Sequence, residues 1–302
     1  MIRNLAFALV CSTLIVPTAR AGDLVRGVRM KISAGDVASG MAAVEDYRKA
    51  TGVDAEYLDA VGWLARGAAM LGRRDLARDL IGELHREIQE ETQELLVPLG
   101  AAIEVEGRLL ADHDGRGPAL RFLNDALSRA KAPALRSRIY KNIHLLSLEG
   151  QPPPPLAASE FVGAVPPALD SLRGKPVLLF FWAFWCGDCK AQSASLARVW
   201  EKYRPKGLQV ITATRFYGSV GEKPATPAEE KAEVERVWKE NYAGLAGVPT
   251  IIDTETMVRY GASATPTFVL VDRRGVVRLY TPTRLSEAEL SRRIDAVLAE
   301  GA

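Results

Sequence analysis

Cysteine and histidine are scarce in this sequence, whose 302 residues include only three of each. The histidines are His85, His113 and His144, all before residue 150, whereas Cys186 and Cys189 lie after it. A structural zinc site needs about four Cys or His ligands, so this cysteine pair lacks partners in its own part of the chain. We therefore expect no metal and no cofactor at the pair.

A large net charge and long hydrophobic runs are also missing. The formal net charge is +2, which gives no reason to expect a nucleic acid as partner. After the first twenty residues, no stretch is long and apolar enough to span a bilayer. The 48% hydrophobic and 25% charged residues are ordinary for a folded protein, and the length predicts two domains.

The N-terminus has the pattern of an export signal. Arg3 precedes a short apolar run, Leu5–Val16, and Ala19 and Ala21 have the small-x-small spacing of a cleavage site. We expect a signal peptide over residues 1–21 that is cleaved after Ala21, and a periplasmic or otherwise exported protein. Cleavage would remove Cys11. An uncleaved segment would instead attach the protein to a membrane.

Residues 22–150 are predicted to form an all-α helical domain. From about Val37 to Leu148, apolar residues recur at helical spacing, and breaks near Gly72, Pro98 and Pro133 divide this region into five to six helices. The stretch "WLARGAAMLGRRDLARDL" resembles a degenerate tetratricopeptide helix pair, although its spacing drifts from a fixed period. A helical hairpin array of this repeat type and a plain helical bundle both fit the pattern.

A proline linker, "QPPPP" at residues 151–155, ends the helices, and residues 156–302 are predicted to be an α/β domain. "PVLLFFWAF" and "GLQVITAT" have the composition of buried strands, and "TPTFVLVD" and "VVRLYTP" that of a hairpin. Helices are predicted from the cysteines to about Tyr203, from Pro227 to about Tyr242, and after Ser286. Both Thr226-Pro-Ala-Glu and Ser286-Glu-Ala-Glu match a capping box. A parallel first pair of strands and an antiparallel last pair predict a mixed sheet.

The Cys-x-x-Cys pair lies where a buried strand gives way to a helix. There, the free N–H groups and the helix dipole favour a thiolate at Cys186, and such thiols can have a pKa of roughly 3.5 to 7.5. Cys189, one helical turn further, could then resolve the mixed disulfide that Cys186 forms. Haem attachment would need histidine where Lys190 stands. A structural disulfide remains the alternative to redox chemistry.

The segment "FFWAFWCGDCK" resembles the active site of the thioredoxin superfamily. "DSLRGKPVLLFFWAFWC" and "YGASATPTFVLVDRRGVV" are similar to the TlpA/ResA/DsbE-like branch, which consists of exported thiol–disulfide oxidoreductases. The resemblance covers about residues 156–300. It implies a thioredoxin-like fold with Cys186 as nucleophile and Cys189 as resolving thiol. It also implies that Trp185, Thr265 and Pro266 contact the substrate, with a cis bond before Pro266.

Three residues depart from the patterns of these relatives. Asp188 places a carboxylate between the cysteines, which should disfavour a thiolate and raise the pKa of Cys186. Gln192 stands where ResA-like members have Glu, and Phe180 where thioredoxins have a buried acid. Asp188 and Gln192 are therefore expected to modulate the reactivity of the pair.

Two classes of function follow from these features. The first is an exported thiol–disulfide oxidoreductase that acts on protein thiols or disulfides, as a reductant by resemblance, with a possible protein partner for the helical domain. The second is a non-catalytic adaptor, in which helical repeats bind a partner and the thioredoxin-like part is a redox-sensitive scaffold. The Cys-x-x-Cys pair and the Thr-Pro dipeptide favour the oxidoreductase.

Overall fold

The computed structural model describes residues 22–158 and 160–300, so the expected signal peptide lies outside the described residues. The region of residues 22–150 is all-α, as predicted. Its seven helices are α1 Asp23–Ser33, α2 Val37–Thr51, α3 Ala55–Met70, α4 Arg74–Glu87, α5 Leu96–His113, α6 Arg116–Arg129 and α7 Pro133–Ser147. The predicted five to six helices from about Val37 to Leu148 are present as the six helices α2–α7, whereas α1, which precedes them, was not predicted. Only Val28 of α1 is buried, which leaves little periodic signal.

The helices form a hairpin array. Each packs against the next, and α1, α3, α5 and α7 also contact one another in succession as an inner row. Small residues allow this close approach: a side chain at Gly62 of α3 would overlap Ala101 of α5, and one at Gly67 would overlap Ile32 of α1. The inner row continues towards the second part of the chain through α7.

The part after residue 156 is built on a six-stranded mixed sheet with the order β1-β6-β3-β2-β7-β8. Its strands are β1 Glu160–Val162, β2 Val177–Phe181, β3 Gln209–Thr214, β6 Thr250–Ile252, β7 Thr267–Val271 and β8 Val277–Thr281. The parallel pair β2–β3 and the antiparallel pair β7–β8 confirm the predicted mixed sheet. Strands β1 and β6 were missed because three residues are too few to show a period.

Four helices and a small hairpin accompany this sheet. The helices are α8 Gly187–Tyr203, α9 Pro227–Asn241, α10 Thr254–Arg259 and α11 Glu287–Ala299; the hairpin strands are β4 Ser219–Val220 and β5 Lys223–Pro224. The capping box at Thr226 is complete. The second predicted box is only half formed: Ser286 accepts from the Glu289 N–H, but the Glu289 carboxylate pairs with Arg292 and Arg293 instead.

The two parts of the chain on either side of the proline segment are in contact. Helix α7 packs against α10 and β8. His144 Nε2 lies 2.6 Å from the carbonyl oxygen of Arg259, and Leu148 joins Tyr260 and Tyr280 in one buried apolar cluster. The Gly150 N–H also donates to the Val277 carbonyl oxygen of β8. The last helix of the array is therefore packed onto the sheet domain.

None of the helices in the described ranges combines the length and apolar character needed to cross a membrane.

Candidate functional site

The cysteine pair lies at the carboxyl edge of the central strand β2. All five residues of β2 are buried, and a short turn closed by the Cys186 N–H and the Ala183 carbonyl oxygen (3.0 Å) leads into α8. Cys186 is the N-cap of α8, and its Sγ accepts a hydrogen bond from the Cys189 N–H at 3.1 Å. The Sγ atom thus takes up one of the N–H groups that a helix start leaves free.

The two sulfur atoms of the pair lie at disulfide distance, with the Cα atoms 5.3 Å apart. Cys189 is fully buried, whereas Cys186 keeps 5% of its surface exposed. An approaching sulfur therefore meets Cys186 first. The order in which Cys186 attacks and Cys189 resolves stays a prediction.

Thr265 and Pro266 face the pair from the start of β7. The bond between them is cis, and the Thr265 carbonyl oxygen lies 3.4 Å from Cys186 Sγ. The register of the sheet brings Thr265 close to Cys186, because β2 and β7 are antiparallel and Phe181 is paired with Thr267. The residues that follow Phe181 and those that precede Thr267 consequently lie at the same edge of the sheet.

An aromatic rim borders the pair. Trp185 is 58% exposed, although large apolar side chains are usually buried, and its ring meets that of Tyr217 edge to face at 5.3 Å. The Arg215 guanidinium lies 4.6 Å over the Tyr217 ring, within cation–π range. We call Trp185, Tyr217 and Arg215, which border the site, the aromatic–arginine rim.

A buried carboxylate fixes the loop that carries Tyr217. Glu230 of α9 is 1% exposed and accepts hydrogen bonds from the N–H groups of Tyr217 (2.5 Å) and Gly218 (2.8 Å). Burial raises the pKa of the Tyr217 hydroxyl. The sequence interpretation missed Arg215, Tyr217 and Glu230. These residues could have been noticed from "RFYG", which directly follows the buried strand β3. Because β3 is parallel to β2, this stretch leaves the sheet at the same edge as the cysteines that follow β2.

The Asp188 side chain is largely exposed to solvent. Its side chain is 66% exposed, and Oδ1 lies 3.4 Å from Nη1 of Arg284, on the loop before α11. The carboxylate between the cysteines thus has an opposite charge beside it. Any field that it exerts on Cys186 is partly offset by Arg284.

Gln192 has a positional role in the fold. It is 2% exposed; its Nε2 donates to the Leu285 carbonyl oxygen (2.9 Å), and its Oε1 accepts from the Leu285 N–H (3.1 Å). The amide therefore ties α8 to the loop that carries Arg284. Phe180 is fully buried beside Phe268, with ring centroids 5.0 Å apart, so this position is part of the apolar core.

A mixed sheet with a Cys-x-x-Cys pair at the start of a helix and a cis-proline opposite defines a thioredoxin-like domain. Comparison with known proteins is consistent with this class. The AhpC/TSA family model matches residues 164–280. The thiol-disulfide oxidoreductase ResA of Geobacillus kaustophilus is 26% identical over 131 residues, which cover 43% of this chain and 67% of that protein.

Two further matches cover a similar part of the chain. The thioredoxin-like protein YneN of Bacillus subtilis is 25% identical over 148 residues, which cover 49% of this chain and 79% of that protein. A solved thioredoxin-family thiol:disulfide interchange protein from Chlorobium tepidum is 19% identical, with a TM-score of 0.37, and the match covers 49% of this chain and 97% of that one. The C-terminal half of the chain is an AhpC/TSA thioredoxin-like domain, homologous to thiol-disulfide oxidoreductases of the ResA type.

Proposed function

We propose that this protein exchanges disulfides with partner proteins through Cys186 and Cys189, acting as a reductant outside the cytoplasm. The observation that carries the proposal is the position of Cys186 Sγ, between the Cys189 N–H at the start of α8 and the Thr265 carbonyl oxygen. The N–H stabilises a thiolate. The Thr265 backbone offers an edge against which an extended partner chain can pair.

The proposed reaction has two exchange steps. The Cys186 thiolate attacks one sulfur of the partner's disulfide, which forms a mixed disulfide and releases one partner thiolate that takes up a proton. Cys189 then loses its proton and attacks Cys186 Sγ, which releases the second partner thiol. Two electrons pass to the partner, and the Cys186–Cys189 disulfide remains. A dithiol donor must reduce it again.

The other site residues have proposed roles around these steps. Trp185, Thr265 and Pro266 contact the substrate chain, and Asp188 and Gln192 modulate the pair through the loop that carries Arg284. We further propose that residues 22–150 are a helical domain for partner selection, that residues 151–155 are the linker and that residues 156–302 carry the redox chemistry. The first 21 residues support export, and the mass of the purified exported protein tests cleavage after Ala21.

Reduction of a protein disulfide, such as that of insulin, tests the proposal. The wild-type protein with a dithiol donor should reduce it, and Cys186→Ser should not. Equal rates would leave the non-catalytic adaptor as the better explanation. The reduction potential of the pair tests the direction: a reductant should lie nearer roughly −270 mV, as in thioredoxin, than the roughly −120 mV of a strong oxidant.

A further inference from the structure

A cleft of about 210 Å³ lies beside the aromatic–arginine rim, between the helical part and the sheet domain. The sheet domain contributes Trp185, Arg215, Tyr217 and Thr265, and α7 contributes Ala134 and Arg138. Trp185 is adjacent to Cys186 in the chain, and the Thr265 carbonyl oxygen lies 3.4 Å from Cys186 Sγ. A polypeptide that presents a sulfur to Cys186 can therefore extend into this cleft.

The cleft is lined by cations without carboxylates. Arg215 and Arg138 belong to its lining, and no Asp or Glu does. Within residues 22–158 and 160–300, no carboxylate forms an ion pair with Arg215, whose guanidinium lies over Tyr217. Desolvation lowers the pKa of Arg138, whose charge Glu104 and Asp59 partly offset, so Arg215 is the main cation that this lining offers to a ligand. The lining favours an anionic group.

We propose that this cleft binds the segment of a partner protein next to its reactive disulfide, and that it prefers a segment with a carboxylate side chain, which Arg215 binds. The inference rests on the proposed disulfide exchange and adds the class of substrate. The occupant is an acidic polypeptide because the exposed Trp185 offers apolar area, Thr265 offers backbone groups, and Arg215 offers complementary charge. Arginine also matches the planar geometry of a carboxylate.

Through α7, the helical part of the chain also contributes to the selection of the partner segment. Ala134, in the first turn of α7, is exposed and belongs to the wall of the cleft opposite the rim. A charge introduced at Ala134 would thus act on the same substrate segment as Arg215. Partner choice is then built into the junction between the two parts of the chain.

Two peptides that differ only by Glu or Gln beside a cysteine test the inference. Each peptide cysteine is held in a disulfide with a small aromatic thiol, whose release by the reduced protein gives a rate constant. The wild-type protein should react roughly fivefold faster with the Glu peptide, the upper range for a partly exposed ion pair. Arg215→Gln and Ala134→Glu should each bring the ratio towards one, and added salt should lower the wild-type ratio.

Matched controls change the same charge elsewhere. Arg121→Gln, on the exposed face of α6, and Ala42→Glu, on the exposed face of α2, should keep the wild-type ratio. Equal release from both peptides by the wild-type protein, or an unchanged ratio in Arg215→Gln and Ala134→Glu, would overturn the inference while leaving the disulfide exchange intact. Release from neither peptide beyond the rate of Cys186→Ala would instead reject the proposed function.

Discussion

The Sγ atom of Cys186 lies 3.4 Å from the carbonyl oxygen of Thr265, although the two residues are 79 positions apart in the chain. The antiparallel pairing of β2 with β7 produces this contact, because it brings the end of one strand to the start of the other. Two groups of the proposed chemistry at Cys186 are thus positioned by the ends of regular elements: the sulfur by the start of α8, and the facing carbonyl by the residues just before β7.

The ion pair beside the cysteines gives a first prediction. Asp188→Asn should lower the pKa of the Cys186 thiol, because a negative charge near the thiolate is removed. Arg284→Gln should raise it, because Asp188 then loses the cation 3.4 Å away. Both side chains are more than half exposed, so both shifts should be small and should shrink in high salt. Thiolate absorbance against pH measures them. A lower pKa of the Cys186 thiol in Arg284→Gln would contradict this prediction.

The contact of Gly261 with α7 gives a second prediction. A side chain there would overlap the backbone nitrogen of Lys141, and Gly261 has a φ of +61°. Gly261→Ala should cost about 1–3 kcal/mol for the backbone conformation and a similar amount for the overlap. Gly247→Ala is the matched control, because it also has a positive φ (+82°) but nothing within 4 Å. If Gly261→Ala and Gly247→Ala lower the free energy of unfolding in denaturant equally, α7 can shift to accommodate the side chain, and the prediction is wrong.

The buried imidazole at the same interface gives a pH prediction. Burial lowers the pKa of His144 from 6.5, and the hydrogen bond to the Arg259 carbonyl opposes that shift only in part. The unfolded chain therefore takes up a proton more readily, so the stability linked to His144 is full above about pH 6.5 and is lost as the pH falls towards the lower pKa of the folded state.

This loss should reach at most about 1.4 kcal/mol per pH unit in the wild-type protein and be absent in His144→Gln. Denaturant unfolding from pH 7 to 5 measures it, with exposed His113→Gln as control. Wild-type and His144→Gln curves of the same slope would contradict the prediction.

The packing of α7 also predicts how fragments behave. A fragment of residues 156–302 should cycle its disulfide but expose the face of Tyr260 and Tyr280 that Leu148 covers. A fragment of residues 133–302 keeps α7 and should unfold at a higher denaturant concentration, because that apolar face remains buried. The fragment of residues 156–302, which lacks the α7 wall of the cleft, should lose selectivity for the physiological partner. Equal midpoints would show that α7 adds no stability to the sheet domain.

Strong local patterns made much of the fold predictable. The apolar run before Cys186 and the capping box at Thr226 gave β2 and the starts of α8 and α9, because both signals lie within a few residues of the structure that they specify. The cysteine pair is a local motif of the same kind, whereas Thr265-Pro266 was singled out only through the resemblance to the thioredoxin superfamily.

Features that depend on distant contacts could not be predicted. The three-residue strands β1 and β6 exist through sheet pairing, not through an internal period. The close packing of α7 near α10 depends on the missing side chain at Gly261, but the sequence indicates only an ordinary turn residue at that position. Arg215 and Tyr217 become part of the site because Glu230, on another element, holds their loop.

The most direct test of the central claim is mass spectrometry of mixed disulfides trapped from the cysteine variants. Reduced Cys189→Ala, mixed with a peptide disulfide, should accumulate one peptide bound to Cys186, because the resolving thiol is missing. Cys186→Ala should accumulate none, because Cys189 is fully buried behind it. A stable adduct on Cys189 in Cys186→Ala, together with none in Cys189→Ala, would contradict the account.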